Sequence, residues 1–360
     1  MKKNIIFDIT HYSRRSWFWR VTREVINGFI EKYKDDFNIF LVWNNVWISK
    51  INWIKVLDFK WSYILFKFFQ LNKFLKEKKQ WMFFSFDNIF FWKLKGYKYI
   101  TIIHDIWQER WYKENWLLYY LKKKNFYFPF FYWLDFTFKN FNKSDLVIVP
   151  SEYTKIDLID FYKLNKKQEE KIKIVKWWVD HFWNINIKEK KDEIKILIPF
   201  PVVTKNNLDQ IVWIINNIEI NNIQFLWVKW LDKENILSKI DNRKNISFEE
   251  NYISEDNLIN YFRCKNICIY ISDNDWFWFL PLECQYFWNP VLATNWTSIP
   301  YILWDSVEYI NKEDNIETII NKIENMKNNF SLYSKKSIKN SDKYKWNNTI
   351  KEVYSLIKKI

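Results

Sequence analysis

Two carboxylates, Asp275 and Glu283, bracket the core of the stretch DNDWFWFLPLECQYFWNP, which runs from Asp273 to Pro290. Within it Trp276 and Trp278 flank Phe277, where the surrounding residues call for a tight turn against a ligand. Asp273-x-Asp275 has the form of a metal-binding acid pair. Other chemically capable residues stand where strand-like runs end: His104 in TIIHD, and Lys205 after ILIPFPVVT. SWFWR, from Ser16 to Arg20, separates the first strand-like run from a helical pattern. A closely folding backbone there would aim several N–H groups at a phosphate, with Arg20 beside them. His11 and His181 have no comparable setting. No Gly-x-Ser-x-Gly elbow, Walker A loop or His-Glu-x-x-His pair occurs. Cys264, Cys268 and Cys284 have neither a disulfide framework nor a metal spacing, and read as buried thiols in a reducing compartment.

Composition bears directly on that turn. The 360 residues hold 2 glycines and 24 tryptophans. A chain of this length ordinarily carries about 25 glycines, because φ > 0 and close backbone approaches need them. The two counts together make up that number. The tryptophans also fall at turn positions: SWFWR, KWWVD, YFWNP, TNWTS and ILWDS. Most of them therefore read as glycines of the source, through a UGA codon read there as glycine and written here as tryptophan. The Lys, Asn, Ile, Phe and Tyr enrichment of an AT-rich genome fits this. The alternative is a truly tryptophan-rich binder with stacking platforms for sugars or single strands. The net charge of +14 favours phosphates or anionic surfaces, although base composition also inflates lysine.

These residues need a scaffold, and the apolar pattern supplies one. Strand-like runs NIIFDI, FNIFLVW, YKYITIIHD, SDLVIVPS and KIKIVKWWVD alternate with helical patterns in the first half. KKDEIKILIPF, IQFLWVKW, NISFEE, KNICIYIS, NPVLATN and DSVEYIN repeat the alternation in the second. This predicts two doubly wound α/β domains with parallel sheets. The charged segment Asn184–Glu193 is the predicted linker. The domains expected are residues 1–185, 186–340, and a C-terminal helix in 341–360 that packs back on the first domain. The opening MKKNIIFDITHYSRR does not read as a signal peptide. No apolar run reaches transmembrane length, so a cytoplasmic protein is expected. Leu57–Lys79 is basic, aromatic and helix-compatible; it reads as an ordinary helix with a solvated lysine face, or as a peripheral contact with an anionic membrane.

With bracketed tryptophans taken as glycine, Ile271–Asp305 becomes D-[G]-F-[G]-F-L-P-L-E, then CQYF[G]NPVLATN[G]TSIPYIL[G]DS. This resembles the pattern E-G-F-G-L-P-x-L-E, G-x-P-V-x-A-S and Leu/Ile-Pro-E-x-x-G-D of GT-B retaining glycosyltransferases of the GT4 group. TIIHDI and VIVPSEYTKIDL resemble further segments of that family, and the likeness spans nearly the whole chain.

The resemblance implies a GT-B fold: two Rossmann-like doubly wound domains facing across a cleft. It implies a retaining hexosyltransferase that moves a sugar from a nucleotide-diphosphate sugar to a glycan or lipid-linked acceptor, in surface polysaccharide or glycoconjugate synthesis. No cofactor, metal or nucleic acid is expected. His104 and Asp275 take the catalytic places, with His104 beside the sugar and Asp275 on its hydroxyls. Glu283 accepts hydrogen bonds from the ribose. Trp17, Trp19 and Arg20, Lys205, and the run Trp276, Phe277, Trp278, Phe279 and Leu280 complete the donor site. The leaving diphosphate gains charge and needs cations and N–H donors. Two departures stand out. Asp275 replaces the family's glutamate, and Phe200–Pro201 occupy a Gly–Arg place, which leaves Lys205 as one cation where the family has a basic pair. The rivals are a GT-B sugar-nucleotide epimerase, a non-catalytic degenerate transferase, and a basic single-strand binder.

Overall fold

The computed structural model describes residues 2–8, 17–42, 55–57, 81–86, 96–106, 109–110, 136–177, 193–199, 205–226, 233–249, 253–272 and 279–360. The first unit contains strands β1 (Lys3–Asp8), β2 (Phe37–Val42), β3 (Lys55–Leu57), β4 (Trp81–Ser85), β5 (Lys98–Ile102), β6 (Leu146–Val149) and β7 (Ile172–Ile174). Its helices are α1 (Trp17–Tyr33), α2 (Phe136–Lys143), α3 (Glu152–Tyr162) and α4 (Lys166–Glu169). The strands form one parallel sheet in the order β3-β2-β1-β4-β5-β6-β7. LVIV of β6 and WMFFS of β4 are buried along their whole length. Helices cover both faces of parallel sheets, so their strands lack polar alternation.

The second unit holds β8 (Lys195–Pro199), α5 (Lys205–Asn217), β9 (Asn222–Leu226), α6 (Lys233–Lys239) and β10 (Asn245–Glu249). It continues with α7 (Glu255–Arg263), β11 (Asn266–Tyr270), α8 (Phe279–Tyr286), β12 (Val291–Thr294), α9 (Ile299–Leu303), β13 (Glu308–Ile310), α10 (Ile316–Asn328) and α11 (Phe330–Ser341). Its six strands are parallel, in the order β10-β9-β8-β11-β12-β13. Ile196 and Ile198 of β8, Ile267 and Ile269 of β11, Ile211 and Ile215 of α5, and Ile319 and Ile323 of α10 share one core. Local signals start the helices. Ser151 accepts from the Thr154 N–H at α3, Asn165 and Gln168 form a capping box at α4, and Asn315 accepts from the Thr318 N–H at α10.

Residues 1–177 and 346–360 form the first compact unit and 178–345 the second. The last helix, α12 (Trp346–Lys358), therefore belongs with the first sheet. It lies on α1 at Gly28, where a Cβ would sit 2.1 Å from Ile350 Cδ1. Tyr33 and Tyr354 stack at 3.7 Å, and the Tyr354 hydroxyl donates to Asp36 at 2.6 Å.

β3 and β4 escape the sequence reading. Three residues are too few for a periodic signal, and the aromatic run of β4 directly follows the lysine-rich segment. Residues 58–80, most of the predicted amphipathic stretch, lie outside the described residues. Among the described residues no helix is long and apolar enough to cross a membrane.

Candidate functional site

In each sheet the order reverses once, where β1 lies beside β4 and where β8 lies beside β11. Helices leave such neighbouring strands toward opposite faces, and the crevice opened at the carboxyl ends is where doubly wound sheets bind ligands. In the second unit α5 follows β8 and α8 follows β11, so both helices begin at that edge.

Lys205 is the first residue of α5. Its backbone stands at a helix N-terminus, where peptide dipoles favour an anion. Phe279 and Leu280 form the first turn of α8, with side chains 5% and 6% exposed. Their side chains pack inward, which leaves only their backbone N–H groups at the helix start to meet a ligand. Glu283 follows one turn later and is only 1% exposed. A surface acid is thereby excluded: this carboxylate is enclosed on a helix that begins at the carboxyl edge of the sheet. Asp275, Trp276, Phe277 and Trp278 lie outside the described residues.

The same edge carries a cavity of 380 Å³ that sequence reasoning missed. Gln210 of α5, Ile271 after β11, Trp296 after β12, and Ile310, Asn311, Lys312 and Asp314 at the end of β13 line it. Its floor is braced. The Asn295 side chain donates to Asn311 Oδ1 at 2.8 Å, and the Asn311 N–H donates to Asp314 at 2.9 Å. Lys322 donates to the same carboxylate and, at 2.7 Å, to the Tyr309 carbonyl. Burial would raise the Asp314 pKa, but the Lys322 bond and the Asn311 N–H outweigh it and hold the carboxyl below its ordinary value. Thr297 in the adjoining loop takes φ 61, a strained value for a β-branched residue. The only signal for these residues was their place just beyond apolar strands.

In the first unit His104 follows β5 at the carboxyl edge and is 3% exposed. Its Nε2 lies 3.2 Å from the Phe86 carbonyl oxygen. That oxygen can only accept, so a hydrogen bond there requires the tautomer with the proton on Nε2. The His104 carbonyl accepts from the Thr154 hydroxyl at 3.4 Å. The segments TIIHDI and VIVPSEYTKIDL, far apart in sequence, already pair as β5 and β6, and this bond adds a side-chain tie beyond the strands. The fully buried Trp177 ring lies 6.0 Å from the imidazole, and among the described residues its indole N–H has no hydrogen-bond partner. Asp8, 3% exposed at the end of β1, shares this edge and was not anticipated.

At SWFWR the structure corrects the expectation of a loop. α1 begins at Trp17, so Trp17, Trp19 and Arg20 form its first turn. Nothing in the residues as written breaks the helix there, because tryptophan tolerates helical φ and ψ. Arg20 is half-buried.

No protein-family model and no curated protein matches the sequence. Solved structures match the fold. WaaG, a glycosyltransferase involved in lipopolysaccharide biosynthesis, is similar with a TM-score of 0.70 at 11% identity, over 98% of this chain and 99% of that one. A glycosyltransferase from Rickettsia africae gives 0.64 at 13% identity, over 99% and 98%. Anabaena HepE, solved in complex with UDP, gives 0.64 at 9% identity, over 99% and 100%. At such identities the likeness is one of fold, and the fold is GT-B, with its two Rossmann-like parallel-sheet units.

Proposed function

We propose that this chain is a retaining, metal-independent GT4-type glycosyltransferase that takes a sugar from a nucleotide-diphosphate sugar. The observation that carries the reading is the burial of Glu283 on α8, at the carboxyl edge beside the strand-order reversal. A carboxylate enclosed at a ligand-binding edge suits the paired hydroxyls of a ribose. The N-termini of α5 and α8 would face the diphosphate, where charge grows as the anomeric bond breaks. The resemblance gives His104 the place beside the sugar. The acceptor would attack from the face the leaving group vacates, so no enzymic nucleophile is assigned. Glycan or lipid-linked acceptors and surface polysaccharide synthesis are the setting this chemistry suits.

The test is calorimetric titration with UDP, GDP and ADP in the presence of a chelator, followed by sugar transfer with the donor that binds. Glu283→Gln is expected to weaken nucleotide binding by roughly 1–3 kcal/mol. Failure of all three nucleotides to bind defeats the reading. An inverted anomeric configuration in the product defeats its retaining part.

The reading includes glycine at most of the tryptophan positions, and the backbone supports this. The two written glycines both serve glycine's purposes: Gly96 takes φ 86, and Gly28 leaves no room for a Cβ. Trp288 takes φ 64 just after α8. Its N–H bonds the Gln285 carbonyl while the Asn289 N–H bonds that of Cys284. That pair of bonds is a Schellman motif with tryptophan at its glycine position. Trp304 ends α9 at φ 52 and ψ −133, a region glycine occupies. The peptide Ser16–Arg20, released by trypsin from the protein of its own source, would carry two glycines by mass; two tryptophans would end the proposal.

A further inference from the structure

We infer that Lys312 is a phosphate-gripping residue of the donor site, supplying from the end of β13 the cation missing at Phe200–Pro201. The inference rests on the nucleotide-sugar reading above and adds a residue to it.

Among the described lining residues of the cavity, Lys312 carries the only positive charge. Asp314 is the only acid among them, and its charge is already taken up by Lys322 and the Asn311 N–H. Both partners of that ion pair are largely enclosed, at 20% and 10% side-chain exposure. Asp314 is therefore not available to neutralise Lys312. Among the described lining residues, the charge left uncompensated is that of Lys312.

The mounting is braced, and among the described residues the Lys312 ammonium has no hydrogen-bond or ion-pair partner. Asn311 is held by Asn295 and Asp314, and the Tyr309 carbonyl by Lys322. Lys312 itself is exposed. A compact ammonium on a four-carbon stem over a braced turn can reach a phosphate oxygen without moving the backbone. The cavity joins α5, whose N-terminus is the predicted diphosphate end, to the loop after β11. A phosphate at that edge would meet the dipole of α5 and the ammonium of Lys312 together.

The experiment titrates the full chain, as made in its source code, with the nucleoside diphosphate that binds best, with the matching nucleoside, and with inorganic pyrophosphate. Lys312→Ala and Lys312→Arg are compared with the unaltered protein. Lys312 is exposed, so neither variant disturbs the core. Lys312→Ala is expected to weaken diphosphate and pyrophosphate binding roughly ten- to a hundredfold. Nucleoside affinity should stay within about twofold, and Lys312→Arg should recover most of the loss. Unchanged diphosphate affinity overturns the assignment and leaves the nucleotide reading standing. An equal loss for nucleoside and diphosphate also overturns it, because the residue then only shapes the wall. If the unaltered protein binds no nucleoside diphosphate, the assignment and the functional reading fall together.

Discussion

A single residue type carries much of the interpretation of this chain. A non-glycine residue in the left-handed region costs roughly 1–2 kcal/mol, and Trp288 and Trp304 both occupy it while remaining exposed. Trp288→Gly and Trp304→Gly are each expected to raise stability by about that amount, read as a higher urea midpoint at unchanged slope. Trp213 is the control. It lies inside α5 with φ on the ordinary side, and glycine there should cost about 1 kcal/mol. Equal effects at all three positions would mean that the backbone does not distinguish them. Site residues were legible to different degrees for a related reason. Glu283 sits in a run of fixed spacing, which singled it out, while its enclosure on α8 is visible only in the fold. Lys312 and Asp314 follow a strand in an ordinary polar turn, and only the strand order brings them to Gln210 and Ile271. Reading the tryptophans as loop glycines also hid the first turn of α1, because the letters as written propagate a helix.

Between elements, the docking of α12 on α1 shows how one glycine sets a packing distance. The Cβ of Gly28→Ala would fall 2.1 Å from Ile350 Cδ1 and 2.7 Å from its Cγ1. Rotating the end of the side chain cannot clear both atoms. The helices must separate, at a cost of about 1–3 kcal/mol, and the Tyr33–Tyr354 stack should open with them. The double variant Gly28→Ala, Ile350→Ala should be less destabilised than the sum of the single changes; strict additivity would show that the two residues do not touch. The same junction depends on pH. The Tyr354 hydroxyl bond is the main influence on Asp36; desolvation opposes it, and Lys358 reinforces it, so the folded carboxyl sits below its ordinary value. A depressed folded pKa stabilises above the unfolded value, about 3.9, and the benefit disappears as pH falls through the folded value. The thermal midpoint of the protein should therefore exceed that of Asp36→Asn at neutral pH, and the gap should close in acid. A gap that persists at pH 2 would detach Asp36 from this junction. Elements of this kind were legible where an apolar run was long, as in β8 and β11, and hidden where pairing with neighbours defines them, as in the three residues of β3.

At the scale of the molecule, the alternation of strand and helix was enough to predict two doubly wound sheets, since parallel strands need crossovers and crossovers impose that rhythm. The unit to which a terminal helix belongs is a different matter, because contacts and not rhythm decide it. Ile350, Val353 and Ile357 of α12 are buried at 4%, 0% and 0% exposure. Each such side chain contributes roughly 1.5–3 kcal/mol by leaving water, so their loss would remove on the order of 5–9 kcal/mol. A whole domain has a net stability of about 5–15 kcal/mol. The core around β8, β11, α5 and α10 contains none of these residues. Ending the chain after Lys345 should therefore unfold the first sheet and leave the second intact. In calorimetry one transition should vanish or fall sharply while the other keeps its midpoint. Limited proteolysis should digest the first sheet and spare a fragment that holds β8 to β13. If both transitions weaken together, the two units share a single cooperative core and the terminal helix supports more than the sheet on which it packs.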